Sequence, residues 1–183
     1  SHCENLYGIS LGNNLKTIDT QSFWGCTNLK NINIPGSLTT ISFASFDDCV
    51  SLETVTIENG VTTIDSYSFA GCKKLNNIIL PDSIICINYH AFSGCTNLTS
   101  VTIPASVTKI GWDAFSNCNS LTDVYFNGTE EQWNSINIEE ENEELLNATI
   151  HFLGEDEPDE PEYDSHRLQL RSDGKYSDSI AVG

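Results

Sequence analysis

A register of 23 residues constrains this chain more than any other feature. Phe23, Phe46, Phe69, Phe92 and Phe115 fall 23 residues apart. Three positions after each stands a cysteine (Cys26, Cys49, Cys72, Cys95 and Cys118), and three later again a leucine (Leu29, Leu52, Leu75, Leu98 and Leu121). Other apolar columns keep step, among them Ile18, Ile41, Ile64, Ile87, Ile110 and Ile32, Val55, Ile78, Val101, Val124. One unit of this size cannot bury its own apolar side. Stacked units share a continuous core, so the register predicts a solenoid.

Within a unit, Leu98-x-x-Val101-x-Ile103-Pro104 alternates at period two. Val101 and Ile103 are expected to point inward and Ser100 and Thr102 outward, as in a strand. A proline ends this strand in three units, at Pro35, Pro81 and Pro104. Val107-x-x-Ile110 reads as a second short extended piece. Ala114-Phe115-x-x-Cys118-x-x-Leu121 turns its apolar side in at three-residue spacing, which predicts a helical or 3₁₀ turn. The register reaches back to Cys3 and Leu6, which implies coils missing upstream.

The Leu98-x-x-Val101-x-Ile103 signature resembles that of leucine-rich repeats. The 23-residue unit, with Ile-Pro after the strand and Ala-Phe-x-x-Cys-x-x-Leu closing it, is similar to the BspA-like subclass of bacterial surface proteins. The resemblance covers about residues 3–153 and implies an α/β solenoid, a right-handed superhelix with short parallel strands. The stretch from Tyr125 through Trp133 and Ile136 to Phe152 is similar to the segment that closes many bacterial members. Thr129 and Gln132 have capping-box spacing, with Glu130 and Glu131 favourable in a first helical turn. Trp133 and Ile136 are placed to cover the last coil, with a final strand over residues 148–152. Four segments are therefore expected: a solenoid over 1–127, a C-terminal cap over 128–153, an acidic proline-rich linker over 154–164, and a tail over 165–183. The tail carries a hairpin signal around Asp173-Gly174; it reads as the start of another domain or as a tag.

Charge narrows the range of partners. The chain holds 8 bases and 26 acids, a net charge of −18. Residues 128–164 carry 14 of the acids and no base. Such a chain repels phosphate backbones and anionic lipid, so nucleic acid is a poor partner. No apolar run approaches the roughly 18 residues that a membrane span needs, so membrane insertion is not expected. The 39% apolar content suits a packed domain rather than a disordered chain. There is no methionine and the chain opens on Ser1-His2-Cys3, from which a processed or cut chain is expected.

Seven cysteines raise three readings. Stacked in register, side chains of one column lie roughly 4.8 Å apart. A disulfide wants Cβ atoms about 3.8 Å apart, and zinc wants convergent ligands rather than a line. A ladder of buried thiols, with Cys26, Cys49, Cys72, Cys95 and Cys118 as structural residues beside Trp133, is favoured over bridges or a metal chain. Cys86 lies off this column and is expected to be the most reactive thiol. A nucleophilic pairing of Cys86 with His90 lacks an orienting third group. The triplets at Asn97, Asn127 and Asn147 fit the glycosylation pattern but read as coincidence. No catalytic residue, metal or cofactor is expected.

Two outward columns are the binding candidates. On the long strands, Asn33, Thr56, Ile79, Thr102 and Tyr125 pave one sheet face, which in leucine-rich repeats is the concave one often used for binding. Beside the second strand, Phe43, Tyr89 and Trp112 place aromatics at outward-leaning positions, with Thr20 and Ser66 in the same column. The resemblance implies a non-catalytic adhesion module of a secreted or cell-surface bacterial protein. Its partners would be host matrix or cell-surface proteins, or a glycan. A targeting module of a larger surface enzyme and a structural spacer are the alternatives.

Overall fold

The computed structural model describes residues 3–154, 168–170 and 176–178. Five long strands recur once per repeat: β1 (Asn31–Ile34), β3 (Thr54–Ile57), β5 (Asn77–Ile79), β7 (Ser100–Pro104) and β9 (Asp123–Asn127). Between them lie the two-residue strands β2 (Thr40–Ile41), β4 (Thr63–Ile64), β6 (Cys86–Ile87) and β8 (Lys109–Ile110). Two further strands, β10 (Asn137–Ile138) and β11 (Thr149–Phe152), follow beyond the last repeat. Pairing is parallel and in the repeat register, as in Ile41↔Ile64 and Val101↔Val124. The short strands make one sheet in the order β10-β8-β6-β4-β2. The long strands make two, β1-β3 and β11-β9-β7-β5. The architecture is a parallel-strand β-solenoid of about five turns.

Alternation along the long strands does what period two requires. Val55 and Ile57, or Val101 and Ile103, are buried, while Thr54 and Thr56 are exposed. The phenylalanine column forms the spine of the core. Phe23, Phe46, Phe69, Phe92 and Phe115 stack with ring centroids 5.1, 5.4, 5.5 and 5.2 Å apart. All but Phe23 are fully buried, so removing one ring costs roughly 3–5 kcal/mol.

The third side of each coil differs from the expected helical or 3₁₀ turn, and the α/β reading narrows accordingly: among the described residues of the repeats there is no helix, only linked turns. The reason lies in the backbone. Each coil has two residues at positive φ four positions apart, such as Ala44 and Asp48, Tyr67 and Gly71, or His90 and Gly94. A left-handed residue breaks the run of right-handed torsions that a helix needs. It also turns alternate N–H groups outward, along the solenoid axis. Ala44, Phe46 and Asp48 donate to the carbonyls of Ser66, Ser68 and Ala70 in the next coil at 2.8–2.9 Å. The intervening Ser45, Asp47 and Cys49 donate locally, three residues back. Tyr67, Phe69 and Gly71 repeat the pattern onto Tyr89, Ala91 and Ser93. Every bond of this third ladder runs from one coil to its successor.

A ladder that donates in one direction leaves donors over at its end. In the last repeat these are Asp113, Phe115 and Asn117, and three oxygens meet them. Asp113 N–H donates to the Glu140 carbonyl at 3.1 Å, Phe115 N–H to Asn142 Oδ1 at 3.1 Å and Asn117 N–H to Glu144 Oε1 at 2.8 Å. Asn142 is 1% exposed and its Nδ2 donates to the carbonyls of Gly111 and Glu139. Around these residues, helix α1 (Glu130–Asn134) opens with Thr129 and Gln132 capping each other's N–H groups. Helix α2 (Glu143–Asn147) follows and buries Leu145. Trp133, 6% exposed, packs edge-on against Phe126 at 5.3 Å. Strand β11 pairs with β9.

Of the tail, β12 (Leu168–Leu170) and β13 (Tyr176–Asp178) pair antiparallel, with Leu170 opposite Tyr176. The acidic linker beyond Gly154 and the rest of residues 165–183 lie outside the described residues.

Asn142→Ala should leave the buried Phe115 N–H without an acceptor, at a cost of about 1–3 kcal/mol in urea unfolding. Hydrogen exchange should quicken at Phe115 and Asp113 but not at Ala44 or Phe46, because solenoid coils couple to their neighbours. Uniform loosening along the chain would contradict this account of the terminus.

Candidate functional site

The long-strand sheet presents Asn33, Thr56, Ile79, Thr102 and Tyr125 outward, with Ile79 at 68% exposure. These residues do not share one chemistry. At the N-terminal end, Asn33 Nδ2 donates to Glu58 Oε1 at 2.9 Å, and Glu58 Oε2 accepts from the Gly36 N–H at 3.1 Å. These two bonds hold the Glu58 carboxyl below its ordinary value. At the C-terminal end, His151 Nε2 meets Asp123 Oδ1 at 2.7 Å, and Thr122 donates to Asp123 Oδ2 at 2.7 Å. Hydrogen bonding, first from His151 and then from Thr122, lowers the Asp123 value. Tyr125 stacks on the His151 ring at 4.7 Å. His151 completes this end of the face. The 23-residue register does not point to it, because it lies on the strand after the last repeat.

The middle of the face is different. The side chains of Thr54, Thr56, Asn76, Asn77 and Asn97 have no hydrogen-bond partner among the described residues. Strands β3 and β5 lie side by side here without a backbone ladder, which is why the long-strand face divides into two sheets. Two contiguous hollows follow this seam. One of about 360 Å³ is lined by residues including Thr54, Thr56, Asn77 and Ile79. The other, of about 750 Å³, is lined by Glu53, Thr54, Lys74, Asn76, Asn77 and Asn97. Lys74 and Glu53 form an exposed ion pair at 3.6 Å across it.

The second candidate face is a continuous aromatic column with a member that the register hid. Tyr67, one position past Ser66, lies between Phe43 at 5.7 Å and Tyr89 at 5.3 Å, and Tyr89 stacks on Trp112 at 5.2 Å. Tyr67 occupies one of the positive-φ positions, which swings its ring into the gap. His90, in the next coil's equivalent position, sits 4.7 Å from Tyr67 and 3.5 Å from the Asp113 carboxylate. Tyr89 and Trp112 cover one face of each other at an interplanar angle of 10°, which leaves less ring plane for a ligand to stack on. The Tyr67 phenol is pushed up to about 12, chiefly by the Tyr89 hydroxyl.

The thiols occupy a third environment. Cys49, Cys72, Cys95 and Cys118 are fully buried, and each donates its S–H to the carbonyl of the preceding coil's phenylalanine at 3.2–3.4 Å. Burial pushes the Cys49 thiol up to about 12. Cys26 is buried in the same column. No described cysteine is bridged. Cys3 departs from the expected buried column: it is exposed. Cys86 is half-buried on β6.

The repeat, its parallel ladders and this outward paving agree with what the chain resembles. Residues 1–122 match the BspA type leucine rich repeat region, in six copies. The chain belongs to this family. A leucine-rich cell surface protein of Faecalibacterium prausnitzii is 34% identical with a TM-score of 0.69, over 72% of this chain and 35% of that one. A leucine-rich repeat protein of Bacteroides ovatus is 28% identical with a TM-score of 0.66, over 80% and 36%. The leucine-rich repeat protein of T. pallidum is 30% identical with a TM-score of 0.63, over 65% and 58%. The chain thus spans between 35% and 58% of the length of these proteins. No curated protein matches it. BspA-type repeats form a non-enzymatic repeat family of cell-surface proteins. No described helix is long and apolar enough to cross a membrane.

Two measurements check these environments. A bulky thiol reagent should label Cys3 and Cys86 in the folded chain and all seven cysteines after denaturation; fast labelling of Cys72 or Cys95 while folded would refute the buried column. Asp47, half-buried beside the phenylalanine spine, is pushed up to about 6, first by burial and then by the neighbouring Asp48 charge. The folded chain therefore prefers it neutral. The contribution of Asp47 to stability is greatest below the unfolded value of 3.8, falls as the pH rises to about 6, and stays reduced above. Asp47→Asn should gain on the order of 1 kcal/mol at pH 7, allowing for solvent screening, and nothing at pH 3.

Proposed function

We propose that this chain is the non-catalytic, protein-binding part of a secreted or cell-surface bacterial protein, and that it attaches to host matrix or cell-surface proteins through the outward face of its long-strand sheet. The observation that carries the reading is the row of unpartnered polar side chains in the middle of that face, held on a rigid scaffold by the buried columns behind them. The aromatic column is the weaker candidate, since its rings spend their faces on one another.

Residues 1–127 act as the solenoid, a right-handed superhelix, and 128–153 as its cap. The cap reading is supported by the three oxygens that meet the last donors and by Trp133 over Phe126. Residues 154–164 serve as a linker and 165–183 open a further unit; the greater length of the similar surface proteins supports this division. The same length favours one second reading, a targeting module for a larger surface enzyme.

The test is a surface-binding assay of the full chain on immobilised matrix proteins. Replacing Thr56, Ile79 and Thr102 together by Ala should weaken binding at least tenfold, while stability moves by under about 0.5 kcal/mol per exposed site. Changing Phe43, Tyr89 and Trp112 should affect binding less. Binding that survives both sets and fades in 1 M salt, where the Debye length is about 3 Å, would assign adhesion to the acidic segment and sink the sheet-face reading.

A further inference from the structure

One backbone column of the long-strand face is nearly unbroken. The N–H of Lys30 donates to the carbonyl of Tyr7, Glu53 to Lys30, Thr99 to Asn76, Thr122 to Thr99 and Thr149 to Thr122, at 2.8–3.3 Å. The one missing member is Asn76 to Glu53. Ile57 and Ile79, which lie one coil before Leu80 and Thr102, belong to strands that are not paired here. Asn76 and Glu53 are both exposed and both line the larger hollow, and this donor and acceptor are not bonded to each other.

We propose that this opening is a peptide-recognition site, and that its occupant is an extended segment of a protein partner with neutral or basic character. The proposal rests on the sheet-face reading and narrows it to one seam. A backbone N–H and a backbone C=O left open side by side are complementary to a peptide group, which brings one acceptor and one donor. The Asn77 and Asn97 carboxamides extend the match, because each also offers a donor and an acceptor on one flat group. Ile79 supplies an apolar contact for one side chain of the occupant. The lining contains no aromatic ring to stack on a sugar, which favours a peptide over a glycan. The choice of charge follows from residues 1–127, which hold 10 acids against 5 bases, so that an acidic segment is the least favoured occupant. Extended-chain recognition by main-chain hydrogen bonds, with side chains fixing selectivity, is a general mode of peptide binding.

The experiment uses the full chain against an array of end-capped eight-residue synthetic peptides of neutral or basic charge, beside an array of neutral glycans. Retention on peptides is expected, falling at least tenfold for the Asn77→Ala, Asn97→Ala double variant. Both residues are exposed and unbonded, so folding should hold, as unchanged amide exchange at Thr99 and Thr122 would show. In the free chain the Asn76 amide should exchange faster than those of Glu53, Thr99 and Thr122. Adding the best-retained peptide should slow Asn76 at least tenfold. Peptide retention indifferent to the double variant, or an Asn76 amide unchanged by peptide, would overturn the seam. Retention on glycans alone, or on neither array, would overturn the peptide as occupant. In either case matrix binding that still falls with Thr56, Ile79 and Thr102 keeps the sheet-face reading, whereas loss of that dependence defeats the wider reading itself.

Discussion

The rest of the structure depends on a set of backbone hydrogen bonds that no side chain advertises. On the turn side of every coil, three alternate N–H groups reach forward to the carbonyls of the next coil, from Ala44, Phe46 and Asp48 onto Ser66, Ser68 and Ala70. Buried backbone groups must be paired, and neither β-ladder can serve this side of the coil. Once the forward bonds are fixed, the phenylalanine between two donors is held at one height per coil. The ring stack, the thiols bonded to phenylalanine carbonyls and the in-register outer columns then follow.

The same bonds leave the outward face free to carry a function. The buried columns leave little freedom to the core, so the outward positions are released from folding duty. Variation there is almost free of stability cost, and the face changes character along its length: closed by Glu58 at one end, closed by His151 and Asp123 at the other, open in between. A binding surface of this kind is set by which coil carries which polar group and not by the shape of a single deep cavity.

Most of the fold could be read from the chain because burial writes a period into it. Leu29, Val55 or Phe92 each repeat at 23, and Val101 and Ile103 alternate with polar neighbours. What escaped had no such period or broke it. Tyr67 joins the aromatic column from the position after Ser66, a displacement visible only once the positive φ is known. That torsion did leave a trace, since Gly25, Asp48, Gly71, Gly94 and Asn117 precede the cysteines, and these residue types tolerate left-handed backbone best. Asn142 belongs to no column, because it acts once, where the repeat ends. The seam at β3 and β5 left no mark, since Asn76, Asn77 and Ile78 keep the register while the backbone bond beside them fails.

The forward ladder also gives the turn side of the solenoid an electrical direction. Each peptide carries a dipole of about 3.5 D, and units aligned in one sense add, as they do along a helix. On this side of the coils the open N–H ends look toward the C-terminus, so the last turn of this side carries the partial positive charge. The sequence places its acids there: Glu139, Glu140, Glu141, Glu143 and Glu144 gather beside the last donors, and the carboxylates of Glu139 and Glu144 accept the N–H groups of Trp112 and Asn117 directly. The acids of residues 139–144 thus have a local cause. Lengthening the array by another repeat would move this terminus outward without changing the field it has to meet.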